Sequence, residues 1–149
     1  MIVVVPGDPR APAARALLEQ SHALMQALFP PEDNFFLPVD ALAAPGIRFF
    51  VATEGDQTLG TGALALKDGY GEVKSMFTAE AARGRGVADA ILTRIMDEAR
   101  AAGLPWLRLE TGNTLHAAHR LYARHGFMRC GPFGDYPDAP SSIFMEKPL

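Results

Sequence analysis

The spacing of hydrophobic positions changes several times along the chain, and each change marks an element. Ile2 to Val5 is a β-branched run stopped by Pro6-Gly7, the pattern of a strand. From Pro9 to Phe29 the spacing turns helical. Leu17, Leu18, Leu24, Met25 and Leu28 share one face, and Pro12 suits a first turn. Pro30-Pro31-Glu32-Asp33-Asn34 breaks that helix, and a loop or short helix continues to Pro45-Gly46. Three strand-like runs follow: Ile47 to Thr53, Thr58 to Lys67 and Glu72 to Thr78. The EGDQ and DGYG turns between them favour an antiparallel meander. Gly60 and Gly62, inside the second run, point to a bulge or to close approach by another group.

After Thr78 the period lengthens. Val87, Ile91, Ile95 and Met96 recur at helical spacing, with Leu92 and Ala99 widening the stripe, and Gly103 and Pro105 end it. Trp106 to Thr111 reads as a strand, Thr114 to His125 as a helix closed by Gly126, and Phe127 to Gly131 and Ser141 to Lys147 as two more strands. The strand–helix–strand unit between Glu72 and Thr111 is long enough to demand parallel pairing of its two strands. No repeat, low-complexity tract or shift in composition divides the chain. The expected architecture is one α+β domain over residues 1–149, with a mixed, mostly antiparallel sheet flanked by helices.

Composition mainly excludes. With 149 residues, 48% hydrophobic and 21% charged, the chain has an ordinary globular balance. A net charge of −3 and a pI near 5.8 argue against the basic face that nucleic-acid binding usually shows. Cys130 is the one cysteine, so no disulfide framework or multi-cysteine metal site is expected. The opening MIVVVPGDPR lacks the pattern of a signal peptide, and no run approaches the roughly 20 apolar residues of a membrane span. A cytoplasmic protein without membrane or nucleic-acid partners is the expectation.

Against that acidic background, ARGRGVADAI (Ala82–Ile91) places two arginines and two glycines directly ahead of a helix. The first amides of a helix lack partners and sit at the positive end of its dipole, which makes an anion site. Glycine allows close backbone approach. A P-loop requires Lys and Ser or Thr after the last glycine, where Val87-Ala88 stand. A dinucleotide fingerprint requires a third glycine where Asp89 stands. A solvated surface turn is the bland alternative.

Arg83-x-x-Gly86-x-Ala88, following a strand and opening a helix, resembles the pyrophosphate signature of the GNAT acetyltransferases. EVKSMFT before the loop, WLRLET after the crossover and HRLYARHGF beyond carry the same resemblance, most specifically from Glu72 to Phe127. The LETG…LY…GF segment with the terminal GPFGDYPDAPSSIFMEKPL is similar to a small bacterial subgroup of that family. The resemblance implies the GNAT acyl-CoA acyltransferase fold, with acetyl-CoA as cosubstrate and no metal. It implies transfer of the acetyl group to a primary amine of a small molecule or peptide, by direct attack in a ternary complex. A non-catalytic coenzyme A-binding sensor or scaffold, or a nucleotide-binding regulatory domain, are the alternatives. Homodimers are common among such proteins.

Residue by residue, the resemblance places the pantetheine arm on the backbone of Met76, Phe77 and Thr78, with an N–H of Phe77 or a neighbour as oxyanion donor. The pyrophosphate falls on Arg83, Gly84, Arg85, Gly86, Val87 and Ala88. Glu72 stands where a general base commonly falls, or is a solvated strand-edge carboxylate. Tyr122 matches the tyrosine that protonates the departing sulfur, or fills a helix face. An asparagine expected seven residues before it is Leu115 here. Asn113 either replaces it against coenzyme A or caps the helix with Thr114.

Four other features carry weaker chemistry. His116 and His119 have ligand-like spacing without a third ligand nearby, and His119 is placed to tune Tyr122. Cys130 reads as a small buried hydrophobe and Trp106 as packing. Asp135, Tyr136 and Asp138, with Glu32 and Asp33, hint at a cationic acceptor or are two solvated loops. A thermal-shift series separates the ligand classes. Acetyl-CoA at about one hundred times its Kd should add about 2.7 kcal/mol of stability. Stabilisation by ATP or NAD but not by coenzyme A would remove the acetyl-CoA reading.

Overall fold

The run IRFFVAT is apolar at nearly every position because both of its faces are covered. In the computed structural model, which describes residues 1–149, it forms most of β2 (Ile47–Glu54). Phe50 and Ala52 pack toward α2 (Val87–Ala101), while Phe49 and Val51 pack with Ala14 and Leu18 of α1 (Pro12–Leu28). The remaining strands are β1 (Val3–Pro6), β3 (Gln57–Leu66), β4 (Gly71–Thr78), β5 (Trp106–Gly112), β6 (Met128–Cys130) and β7 (Ser142–Pro148). A third helix, α3 (His116–Arg124), follows β5.

The seven strands form one sheet in the order β1-β2-β3-β4-β5-β7-β6. Every neighbouring pair is antiparallel except β4–β5, the parallel pair bridged by α2. This is the mixed sheet with a parallel crossover that the chain's periodicities imply, in the arrangement that the resemblance leads one to expect. The main core lies between the sheet and α2, where Ile91, Leu92 and Ile95 are fully buried against Leu64, Leu107 and Leu109.

Three local expectations change. α1 begins at Pro12 rather than Pro9, because Asp8 first closes a turn onto the amides of Arg10 and Ala11. Proline then takes the first helical position, where its missing N–H costs nothing. The apolar stripe of α1 is also only half used by the core. Leu17 and Leu18 are buried, whereas Leu24 and Leu28 are 36% and 46% exposed. Finally, α3 begins at His116, with Leu115 at its cap and no side-chain capping bond. The capping role of Asn113 and Thr114 is therefore absent; the backbone N–H of Asn113 donates to the Ser141 carbonyl at 2.8 Å.

Gly60 and Gly62 serve both purposes that their position in a strand suggests. A Cβ on Gly60 would lie 2.7 Å from a Val87 methyl, and one on Gly62 would overlap Ile91 and reach 2.8 Å from Met76 Sδ. α2 thus rests directly on the bare backbone of β3. Opposite Gly62, the β3–β4 register jumps, with Thr61 facing Phe77 and Ala63 facing Lys74. One extra residue of β4 is absorbed there as a bulge. Ser75 takes φ of +56° within it, and the Thr61 hydroxyl donates to its carbonyl at 2.8 Å. Gly62→Ala forces α2 off the sheet, a small-to-large change of about 1–3 kcal/mol. The expected fall in Tm is about 5 °C, read by calorimetry.

Candidate active site

β4 and β5 pair at only two positions, Gly71 with Leu107 and Glu72 with Arg108. Beyond them no ladder joins the strands, and the bulge at Ser75 turns β4 further away. A cleft of about 950 Å³ opens in the wedge. Val73 to Thr78 line one wall and Glu110 to Gly112 the other. α3 contributes His116, Leu121 and Tyr122, and the unburied half of α1 contributes Leu24 and Met25. That last contribution explains why the helical stripe stops short of the core: its outer half faces a cavity.

At one end of the wedge lies the glycine-arginine turn. Gly84 and Gly86 have φ of +79° and +80°, and a Cβ on either would meet nothing within 4 Å. These glycines are needed for backbone conformation, and the space before them is open. Arg83 N–H donates to the Glu80 carbonyl at 3.3 Å, and Ala90 N–H to Gly86 at 3.0 Å. Between them, the amides from Gly84 through Asp89 find no acceptor in the protein. A run of unpaired donors at a helix start fits a pyrophosphate.

Most of the residues that the sequence assigns to the cofactor meet there. Met76, Phe77, Thr78, Arg83, Gly84, Gly86, Val87 and Ala88 all border the cleft. Val87 is 2% exposed, so its part in any ligand contact falls to its backbone. Arg85 turns away: its guanidinium lies 2.6 Å from Glu54, pinning the turn to the end of β2, and its side chain is outside the cleft. Asn113 is exposed and also outside it. Asp89, at the start of α2, accepts from Arg124 at 3.1 Å and from His125 Nε2 at 2.8 Å, tying the end of α3 to the turn.

The other end of the wedge is carboxylate-rich. Glu72 is 4% exposed and bound by Lys74 Nζ at 3.0 Å and by the Tyr136 hydroxyl. Lys74 Nζ also reaches Tyr136 Oη at 2.7 Å. Burial, then the charge and hydrogen bond of Glu72, push the Tyr136 phenol far above its ordinary range. Glu72 borders a smaller pocket of about 530 Å³ rather than the main cleft; Lys74 and Tyr136 stand between the two. The glutamate facing the main cleft is Glu110. Burial lifts its pKa above the usual range, although the Ser142 hydroxyl, donating at 2.8 Å, and the charge of Lys74 pull it back. Tyr122 is 5% exposed and packs edge-on against Phe127 at 5.6 Å, and its hydroxyl makes no hydrogen bond within the chain. Burial and then the charge of Glu110 raise its phenol well above the ordinary range, so it stays protonated.

The remaining candidates settle into plainer roles. His119 Nε2 lies 2.8 Å from the Gly112 carbonyl, bracing the β5–α3 turn rather than addressing Tyr122, and His116 stacks edge-on against it. No group of three possible metal ligands is assembled. Cys130 is half-buried, and burial raises its thiol pKa, the opposite of nucleophile activation. Trp106 lies near Arg108, outside the cleft. Asp33 borders the cleft and accepts from the Ser141 hydroxyl at 2.8 Å; Asp135 borders the smaller pocket, while Glu32 and Asp138 border neither.

Glu110, Lys74, Ser142 and the Asn34-Phe35-Phe36 segment escape a reading by motif. For Glu110 a signal existed. Leu107, Leu109 and Thr111 are buried on one face of β5, so strict alternation sends Arg108 and Glu110 to the other.

Comparison with known proteins follows the same lines. The profile of the acetyltransferase (GNAT) domain matches residues 45–129. An IAA acetyltransferase of Azospirillum brasilense is 43% identical over 99% of this chain and 98% of its own length. A solved chain from Klebsiella pneumoniae, grouped with the acyl-CoA N-acyltransferases, is 30% identical with a TM-score of 0.84, covering 100% of this chain and 98% of that one. A GNAT family acetyltransferase from Elizabethkingia anophelis, solved with acetyl-CoA bound, shares the fold at a TM-score of 0.73 and 18% identity, over 99% and 98% of the two chains. With a sheet that splays at β4 and β5 and a helix that opens on unpaired amides, the chain belongs to the GNAT acetyltransferase family, whose acyl donor is acetyl-CoA.

Proposed function

We propose that the protein acetylates a primary amine by direct attack on bound acetyl-CoA, with Glu110 accepting the amine proton and Tyr122 protonating the departing sulfur. The observation that carries this reading is the floor of the wedge. Glu110, whose carboxyl is pushed up by burial, and Tyr122, whose hydroxyl makes no hydrogen bond within the chain, both line it, and the charge of Glu110 helps keep the phenol protonated. In the reaction the amine nitrogen forms a bond to the thioester carbonyl carbon. The tetrahedral oxyanion is held by an N–H of Phe77 or a neighbour on the open edge of β4. The C–S bond then breaks, sulfur takes the phenolic proton, the amide and free coenzyme A leave, and the proton that Glu110 took from the amine passes through solvent to restore the phenol.

The pyrophosphate rests on the amides of Gly84 to Ala88, with Arg83 supplying charge and Arg85 acting through its amide and its tie to Glu54. The pantetheine arm runs along Met76, Phe77 and Thr78. Asn113 takes no part in this reading, since its side chain lies outside the cleft. Glu72, neutralised by Lys74 and capped by Tyr136, acts as an electrostatic neighbour of Glu110 rather than as the base. Asp33 and Glu110 have only neutral serine hydroxyls as hydrogen-bond partners, which favours an acceptor that arrives as a cation.

Acetyl-CoA turnover against a panel of amines, amino acids and peptides, followed by release of the free thiol, tests the proposal. Glu110→Gln should lower kcat by about 10²–10⁴, the span of general base catalysis. Glu72→Gln should cost less, and the reverse ranking would return the base role to Glu72. Tyr122→Phe should lower kcat by at least about tenfold while acetyl-CoA still binds; unchanged kcat would remove the phenol from the mechanism. Tight binding of acetyl-CoA without turnover of any amine would instead favour a coenzyme A sensor.

A further inference from the structure

Two adjacent hydroxyls at the start of β7 are committed to two different carboxylates. Ser142 Oγ donates to Glu110 Oε2 at 2.8 Å, and Ser141 Oγ donates to Asp33 Oδ2 at 2.8 Å. The sheet register makes the first contact possible. Gly112 pairs with Ser142 and Glu110 with Phe144, so Ser142 is the diagonal neighbour of Glu110 across the β5–β7 ladder. Diagonal neighbours stand roughly 7–8 Å apart between their backbones, a gap that a long glutamate side chain can close to a short serine. An ionised carboxylate is an acceptor only, so the hydroxyl proton has one place to go.

We propose that Ser142 is the positioning residue of Glu110, engaging Oε2 so that Oε1, which has no protein partner, is the oxygen presented to the acceptor amine. This rests on the reading of Glu110 as the proton acceptor. Around Glu110, β4 brings Lys74 and Glu72, the segment after α1 brings Asp33 and β7 brings Ser142, while the charge of Glu110 itself reaches Tyr122 of α3 and Tyr136 of the loop before β7. Lys74, Glu72 and Tyr136 bond one another, Asp33 bonds Ser141, and none of the titratable neighbours hydrogen-bonds Glu110. Ser142 is the group that fixes direction, because it donates to one named oxygen. It also favours the ionised form, and so holds the carboxyl nearer its working range than burial alone would leave it.

The acceptor is unidentified, so the decisive measurement uses none. The Glu110 carboxyl carbon is titrated by ¹³C NMR in the free protein. Loss of the hydroxyl in Ser142→Ala removes a bond to the charged form, so the midpoint should move up by about one pH unit. Ser142→Thr keeps a hydroxyl and should return the midpoint to the native value. Ser141→Ala, which frees Asp33 instead, should leave the Glu110 midpoint near native. A midpoint in Ser142→Ala that coincides with the native one overturns the positioning role. So does an equal rise in Ser142→Ala and Ser142→Thr, since the effect would then not depend on the hydroxyl. Failure of the underlying reading is visible separately: Glu110→Gln would retain full turnover of whichever amine in the panel is acetylated.

Discussion

β4 and β5 begin as paired parallel strands and are then held apart, and nearly every functional feature follows from that. A backbone edge without a partner strand is costly in a protein interior, because each buried N–H or C=O must find a hydrogen bond. Here the edge is left open from Val73 onward and is kept open from both sides. The bulge at Ser75, locked by Thr61, turns β4 away, and the ladder from β5 to β7 runs the full length of Trp106 to Gly112, holding β5 in the other half of the sheet. A β5 bonded to β7 along its whole length is not free to follow β4. The pairing energy forgone between the strands becomes binding capacity for an extended ligand.

The two ends of the opening are electrostatically opposite. One presents a run of unpaired amides and Arg83, the other the carboxylates of Glu110 and Asp33. On the proposed reading, a donor with an anionic head and an acceptor with a cationic amine would settle in opposite orientations, with their reactive groups meeting between them. The buried Glu72–Lys74 pair separates the main cleft from the smaller pocket without changing the balance. Buried pairs of this kind contribute little net stability, yet removing one partner strands the other charge at a cost of about 3–5 kcal/mol. Their value here is geometric. Lys74 and Glu72 together hold Tyr136, and through it the loop before β7, against the sheet.

Much of this was legible in the residue pattern because it depends on local periodicity. The continuous apolar run of β2, the glycines of β3 under α2 and the parallel crossover each leave a mark within a few residues of where they act. The turn at Gly84 and Gly86 was legible for the same reason, since a helix start after glycine has free amides whatever lies around it. What was hidden depends on residues distant in the chain. Glu72 and Glu110 are both carboxylates on cleft-side strands, and only the placement of Lys74 and Tyr136 decides which one is tied up. The fate of Arg85 turns on Glu54, thirty-one positions earlier. The expected cap at Asn113 fails because α3 starts only at His116, with Leu115 at the cap position, and the backbone N–H of Asn113 is bonded to Ser141, on an element that no local window includes.

Half of the apolar face of α1 is buried in the core, and the other half, with Leu24 and Met25, faces the cleft. That helix is thus amphipathic toward two different environments in succession. Its first turns are satisfied by folding, and its last turns only when something apolar lies against them. Donor and acceptor bound in the cleft would do for this stretch what side chains do for the rest of the interior, so the ligand would supply a missing layer of core. The end of α1 and Phe29, whose ring occupies the space that a side chain on Gly112 would need, should therefore be the part of the molecule whose rigidity depends most on substrate.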